Sequence, residues 1–326
     1  MRLELGLLGV MLGLFALSLT VGPADVTAID SLRALFDDSY GPLTLVMQEI
    51  RLPRALLAII IGAGLGMAGA AMQGYLRNPL AEPGLIGVSG SAALGAVLAL
   101  ATGFAASLSL GLPIAALAGA LVGVFLVMTL AGPRGGSLTL ILAGIAISAL
   151  AAALTSLVLN LSSNPFAANE IVFWMMGSLS DRSMVHVWLC LPFVLIGAAA
   201  LAVTARGLDA LTLGEDAAQT MGVDLGRLRL LVVFGTAAIV GGSTAVAGAI
   251  GFVGLVVPHI LRPLVGARPS RLLWSSAIGG AIMVQLADIA VRLILPERDL
   301  KLGVVTAIVG APLFLHLIYK TRKELP

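Results

Sequence analysis

Long uncharged runs, broken by short polar segments, set the layout of this chain. Leu5 to Val21 is apolar after Arg2 and Glu4, and reads as an uncleaved first span or as a signal peptide. The segment from Asp25 to Glu49 is polar and acidic, and Ala55 to Leu76 carries no charge and forms a second span. That span holds Gly62, Gly64, Gly66, Gly69 and Gly74, small residues that let membrane helices approach closely. Two prolines and two charges then interrupt the pattern from Arg77 to Gly84, so no helix continues there and a tight polar re-entry loop is expected. Pro83 to Pro133 is again uncharged, with room for two spans turning near Leu112 and Pro113, and Arg134 to Thr139 is the next loop. A fifth span runs from Leu140 to Asn160. Ser162 to Arg182 is amphipathic, with Phe173, Trp174, Met175 and Met176 together, and suits an interfacial helix. Ser183 to Ala205 is the sixth span, Leu230 to Ala247 the seventh and Ala249 to Gly266 a short eighth. Leu272 to Val291 is the ninth, closed by Asp288 and Arg292, and Leu302 to Tyr319 the tenth, after a polar stretch from Pro296 to Lys301.

The polar stretch Arg206 to Arg229 has a pattern of its own. Leu213, Ala217 and Met221 recur at helical spacing, one narrow apolar stripe. Glu215 and Asp216 stand where a first turn favours acids, and Gly222 stands where a helix can end in left-handed geometry. Asp224 can cap the helix that follows. A short amphipathic helix and a turn are therefore held in the water layer, as a docking surface for a soluble partner or as an ordinary solvated loop.

Composition narrows the class. The 326 residues are 59% hydrophobic and 11% charged, against about 25% charged in soluble domains. The apolar runs are continuous rather than alternating, so the spans are helices and not barrel strands. At about 20 residues per span, the length holds roughly ten spans and no soluble enzyme domain. The fold class is an all-α integral membrane protein of about ten transmembrane helices. A net charge of +2 does not point to nucleic acid. The single cysteine, Cys190, excludes an intramolecular disulfide and a cysteine-built metal site. With both termini inside, the inner face holds twelve of the 19 basic residues and the outer face seven, including Arg51, Arg54 and Arg292. Arg54 and Arg227 precede glycines at matching intervals (Gly62 and Gly69, Gly235 and Gly242), an echo of the kind an inverted repeat leaves.

No phosphate-binding loop and no cluster with metal-ligand spacing occurs in the sequence. His186 and His316 read as structural. No span carries a central carboxylate or lysine of the sort ion-driven carriers use, Asp288 coming closest, near a helix end. The energy source is expected on another chain.

Several runs carry a resemblance over nearly the whole length. They are Arg51-Leu-Pro-Arg54; Gly69-Ala-Ala-Met-Gln73; Asn78-Pro-Leu-Ala-Glu-Pro-Gly84, continuing to Ser89; Gly214-Glu-Asp-Ala-Ala, followed by Met221 and Gly222; Gly248 to His259; and Gly303 to Pro312. With them the chain resembles the permease subunits of ABC importers for iron–siderophore complexes, haem and cobalamin. The resemblance implies a single permease domain over residues 1–326, a BtuC-like bundle with an inverted internal repeat, and pseudo-halves near 45–182 and 206–326. It implies a second permease copy, two ATPase subunits holding ATP and magnesium, and a periplasmic binding protein. This chain would carry no cofactor, metal or catalytic residue, and would lie in a bacterial inner membrane with both termini cytoplasmic. By the same resemblance Gly214, Glu215, Asp216, Ala217, Ala218, Met221 and Gly222 couple to the ATPase. Asn78, Leu80, Ser137, Leu138 and Thr139 gate the cytoplasmic side, and Arg51, Arg54 and Arg292 receive the binding protein. Ferric siderophore leads as cargo, with cobalamin and haem as alternatives. An ion-coupled secondary transporter is the alternative class, and a passive pore the third.

Overall fold

A computed structural model describes residues 2–22, 27–108, 110–132, 135–162, 165–294 and 300–324. Arg134, Pro296 and Arg298, which the sequence placed in loops, lie outside them. Helices come in the order α1 (Arg2–Thr20), α2 (Ala28–Arg33), α3 (Pro42–Leu45), α4 (Leu52–Tyr75), α5 (Val88–Ala101), α6 (Phe104–Ser107), α7 (Gly111–Ala131), α8 (Ser137–Leu161), α9 (Pro165–Met175), α10 (Met184–Leu211), α11 (Glu215–Thr220), α12 (Leu225–Ala247), α13 (Val253–Leu261), α14 (Pro269–Ile294) and α15 (Leu302–Glu324). Among the described residues, seven helices are long and apolar enough to cross a membrane; α5, α13 and α15 add three shorter apolar stretches. The ten expected spans are thus all present as helices.

The second span starts earlier than its charge pattern suggested. Pro42 to Tyr75 is one helical run of 34 residues, with a π turn over Val46–Arg51 in which the Leu52 N–H reaches back five residues to the Met47 carbonyl. Pro53 has no N–H and its ring would crowd the carbonyl of Glu49 in a regular helix; the wider π turn relieves that. The sixth span runs on to Leu211, past the expected end at Ala205. Leu208 and Leu211 are buried, and Asp209 pairs with Arg268 at 2.8 Å while accepting the Ser270 N–H at 2.8 Å. The charges that mark a water layer in sequence here fasten α10 to the start of α14.

Glycine decides which helices sit at the centre. A Cβ on Gly62 or Gly66 would run into the α14 backbone at Gly280 and Ser276, and one on Gly69 into Gly254 of α13. Gly235 likewise faces Gly197 of α10. Close backbone approach encloses α4 and α12 on most sides. Neighbours also recur between the halves. Helix α5 packs on α7 and α8, and α7 on α8; α13 packs on α14 and α15, and α14 on α15. Helix α4 crosses to α13 and α14, as α12 crosses to α5 and α7. Thus α4 packs among helices that follow α10 and α12 among helices that precede it, and α10 packs on both.

The expected eighth span is helical only from Val253 onward. Gly248 and Phe252 both adopt positive φ, and the strand of irregular backbone between them needs protein partners at membrane depth. It has them: the Ala247 carbonyl accepts from the Ser178 N–H at 2.8 Å, and the Phe252 N–H donates to Glu82 Oε1 at 2.8 Å. Glu82 belongs to the polar loop after α4. That loop dips into the bundle, since Leu85 and Ile86 press on Gly144 of α8.

Candidate coupling surface and outer rim

The segment expected to couple, Gly214 to Gly222, is assembled at the end of the bundle where α10 stops and α12 starts. Gly214 (φ +106°) and Gly222 (φ +86°) bracket α11, both in geometry that L side chains resist. Asp224 Oδ1 accepts the Arg227 N–H at 3.0 Å, capping α12 as its position suggested. The stripe behaves differently from a core-facing one. Leu213 is 68% exposed and Met221 63%, while Ala218, off the stripe, is wholly buried. Helix α11 therefore packs through Ala218, while Leu213 and Met221, which flank it, are turned outward.

One cation links this helix, and another links α12, to the two loops expected to gate. Arg77, at positive φ before Asn78, places Nη2 3.8 Å from Glu215 Oε1. The Asn78 side chain accepts the Leu80 N–H at 2.9 Å, which tightens that turn. Arg229 is buried near the start of α12, and its guanidinium donates to the carbonyls of Gly132 and Gly135 in the α7–α8 connection. A cavity of about 250 Å³ lies between, lined by Tyr75, Ser137, Glu215, Gln219 and Arg229 among others. Ser137 and Glu215 share this cavity, whereas Leu138 and Thr139 point outward, exposed. The sequence reading missed Arg77 and Arg229 as connectors. Its available signal was an arginine inside an otherwise apolar helix, which needs buried acceptors.

A second buried network joins α4 to α13. Gln73 donates to the Leu255 carbonyl at 3.2 Å, and Arg262 Nη2 donates to Gln73 Oε1 at 2.7 Å. Any shift of α13 must carry α4 with it or break these bonds.

At the opposite end, the three rim arginines face inward rather than outward. Arg51 is 5% exposed, and its Nη1 donates to the Leu19 and Thr20 carbonyls at 3.0 and 3.2 Å. Arg292 Nη1 donates to the carbonyls of Ser18 and Val21 at 2.8 and 2.9 Å. Both thus satisfy the open C-terminal end of α1, where the macrodipole is negative. Asp288, 1% exposed, accepts from Arg54 Nε at 2.7 Å and forms an ion pair with Arg292 at 2.8 Å. The pair one helical turn apart, Asp288 and Arg292, thus exists, but as part of a three-helix clasp. Trp174 is 8% exposed: α9 ends at Met175, and the Trp174 carbonyl lies against the Gly248 backbone.

Comparison with known proteins places this geometry. The model of the FecCD transport family matches residues 10–320. The vitamin B12 import system permease protein BtuC of Salmonella paratyphi A is 39% identical over 282 residues, covering 86% of this chain and 85% of that protein. An ABC transporter permease protein of Bacillus subtilis, YvrB, whose own role is uncharacterised, is 38% identical over 285 residues, 86% and 80% of the two chains. A solved inward-facing conformation of an ABC transporter assigned to the metal-chelate type superposes with a TM-score of 0.87 at 33% identity, over 98% of this chain and 99% of that one. The chain is a membrane-spanning permease and belongs to the FecCD transport family.

Proposed function

We propose that this permease works in an ABC importer for a metal chelate or a cobalamin-type compound, with a ferric siderophore as the first candidate and cobalamin or haem next. Two copies of the chain would frame the pathway. Two ATPase subunits, holding ATP and magnesium, would engage α11 from the cytoplasm, and a periplasmic binding protein would deliver cargo at the other end. The membrane is the bacterial inner membrane, with both termini cytoplasmic.

One observation carries this reading: Leu213 and Met221, which flank α11, are turned outward while Glu215 pairs with Arg77 and Arg229 holds the α7–α8 connection. Motion of the α11–α12 segment would reach the Asn78–Leu80 loop through Arg77 and the loop before Ser137 through Arg229. The rim arginines take a positioning role here: Arg51, Arg54 and Arg292 hold the outer ends of α1, α4 and α14 in the shape that the binding protein meets. The test is Gly222→Val in the reconstituted complex. A β-branched residue is strained at φ +86°, so the variant should assemble yet lose cargo uptake and the stimulation of ATP hydrolysis by loaded binding protein. Uptake at the wild-type rate would sink the proposal. Uptake abolished by a protonophore but indifferent to vanadate would favour an ion-coupled carrier instead.

A further inference from the structure

A polar cavity of about 330 Å³ opens at the end of the bundle remote from α11. It lies where α10 begins and α12 ends, beside the α5–α7 connection. Helix α10 has 28 residues, and at about 1.5 Å per residue its two ends stand roughly 40 Å apart. Trp174, Arg182, His186 and Glu170 all line this cavity.

Two of its donors lack acceptors. The indole Nε1 of Trp174 and the Nε of Arg182 are buried without a hydrogen-bond partner, a condition native interiors rarely tolerate. His186 Nδ1 accepts the Ser183 N–H at 3.2 Å, so the neutral ring carries its proton on Nε2, as a further donor. Burial holds the Arg182 guanidinium below its ordinary pKa, a direction that a bound anion would reverse. Glu170 contributes a carboxylate to the same cavity, and Leu112 and Pro113 give it an apolar wall.

Two unanswered donors and the His186 ring, in one cavity with a carboxylate, complement a zwitterion, with anionic oxygens on the donors and an ammonium on the acid. We propose that this cavity binds a phosphoethanolamine group, its phosphate held by Trp174, Arg182 and His186 and its ammonium by Glu170. The cavity lies at one end of the membrane-spanning helices, where lipid headgroups are found and where Trp is favoured. A phosphatidylethanolamine headgroup is therefore the expected source, and free phosphoethanolamine the other.

The experiment uses the full chain with Trp188→Phe and Trp274→Phe, both exposed positions, so that Trp174 is the only indole. In phosphatidylglycerol nanodiscs, added phosphatidylethanolamine should shift Trp174 emission saturably. Native mass spectrometry should show it retained at least tenfold over phosphatidylglycerol. Arg182→Gln should lower retention of both lipids tenfold or more. Glu170→Gln, a change at an exposed residue, should abolish the preference between them and leave phosphate retention in place. Free phosphoethanolamine at millimolar concentration tests the soluble source; a response to it without one to lipid keeps the site and changes the source. Equal retention of both lipids in wild type and in Glu170→Gln would mean ordinary boundary lipid, and an unmoved Trp174 signal with every probe would mean a cavity filled by water. Either result overturns the proposal.

Discussion

Asp288→Asn tests whether the clasp of Arg54, Asp288 and Arg292 holds the bundle together. The carboxylate is 1% exposed and pairs with Arg54 and Arg292 at 2.7 and 2.8 Å. The amide leaves two guanidiniums in a site that excludes water, with Arg51 nearby already answered only by α1 carbonyls. Removing one partner from a buried pair costs about 3–5 kcal/mol, because the remaining charge stays desolvated. The half-exposed Arg77–Glu215 pair, at 3.8 Å, is by contrast worth about 0–1 kcal/mol. Cys190 is the single cysteine and is buried on α10, so its maleimide labelling in detergent reads opening of the bundle. At tenfold per 1.4 kcal/mol, Asp288→Asn should speed labelling about 140- to 4,000-fold and Glu215→Gln at most about fivefold. Labelling of Asp288→Asn within threefold of wild type would refute the argument that this clasp, rather than helix packing alone, fastens α1 and α14 to α4.

Three further outcomes follow from the geometry. Gly280→Val drives side-chain atoms into the Gly62 carbonyl of α4 and should destabilise by about 1–3 kcal/mol or more; unchanged Cys190 labelling would contradict the close α4–α14 contact. Arg229→Met should raise labelling of a Ser137→Cys probe (Cys190→Ala background) severalfold, and Arg229→Lys should not rescue it, since one ammonium cannot span the two carbonyls as a guanidinium does; equal labelling in all three would show that Arg229 does not hold that loop. The side chain and N–H of Ser39 hold the Asp37 carboxyl below its usual range. Its support for the α2–α3 connection is therefore full above the unfolded pKa of about 3.9 and lost as pH falls through the lower folded value. Protection of the Ser39 amide, corrected for intrinsic exchange, should fall over that interval in wild type and stay low and flat in Asp37→Asn; a parallel pH response in both would rule Asp37 out.

Hydrophobic runs and punctuation by charge and proline were enough to locate the ten helices, because a bilayer core admits only segments that satisfy their own backbone. Gly222, Asp224 and the α11 helix were legible for a local reason: capping and left-handed geometry depend on residues two to four apart. Helix ends were legible to within two turns at the end of α10, but the run that leads into α4 starts more than three turns before the expected Ala55. Asp209 looked like water-exposed punctuation until Arg268 and Ser270, far along the chain, turned it into a tether. What tertiary structure alone decided was the partner of each charge. Arg51, Arg54 and Arg292 read as exposed forks at span ends, but burial cost drives such groups toward carbonyls and carboxylates, and those acceptors sit on α1 and α14. The same holds for Glu82 at the start of α13 and for the cavity around Trp174, where residues from separate helices converge and no sequence interval records the meeting.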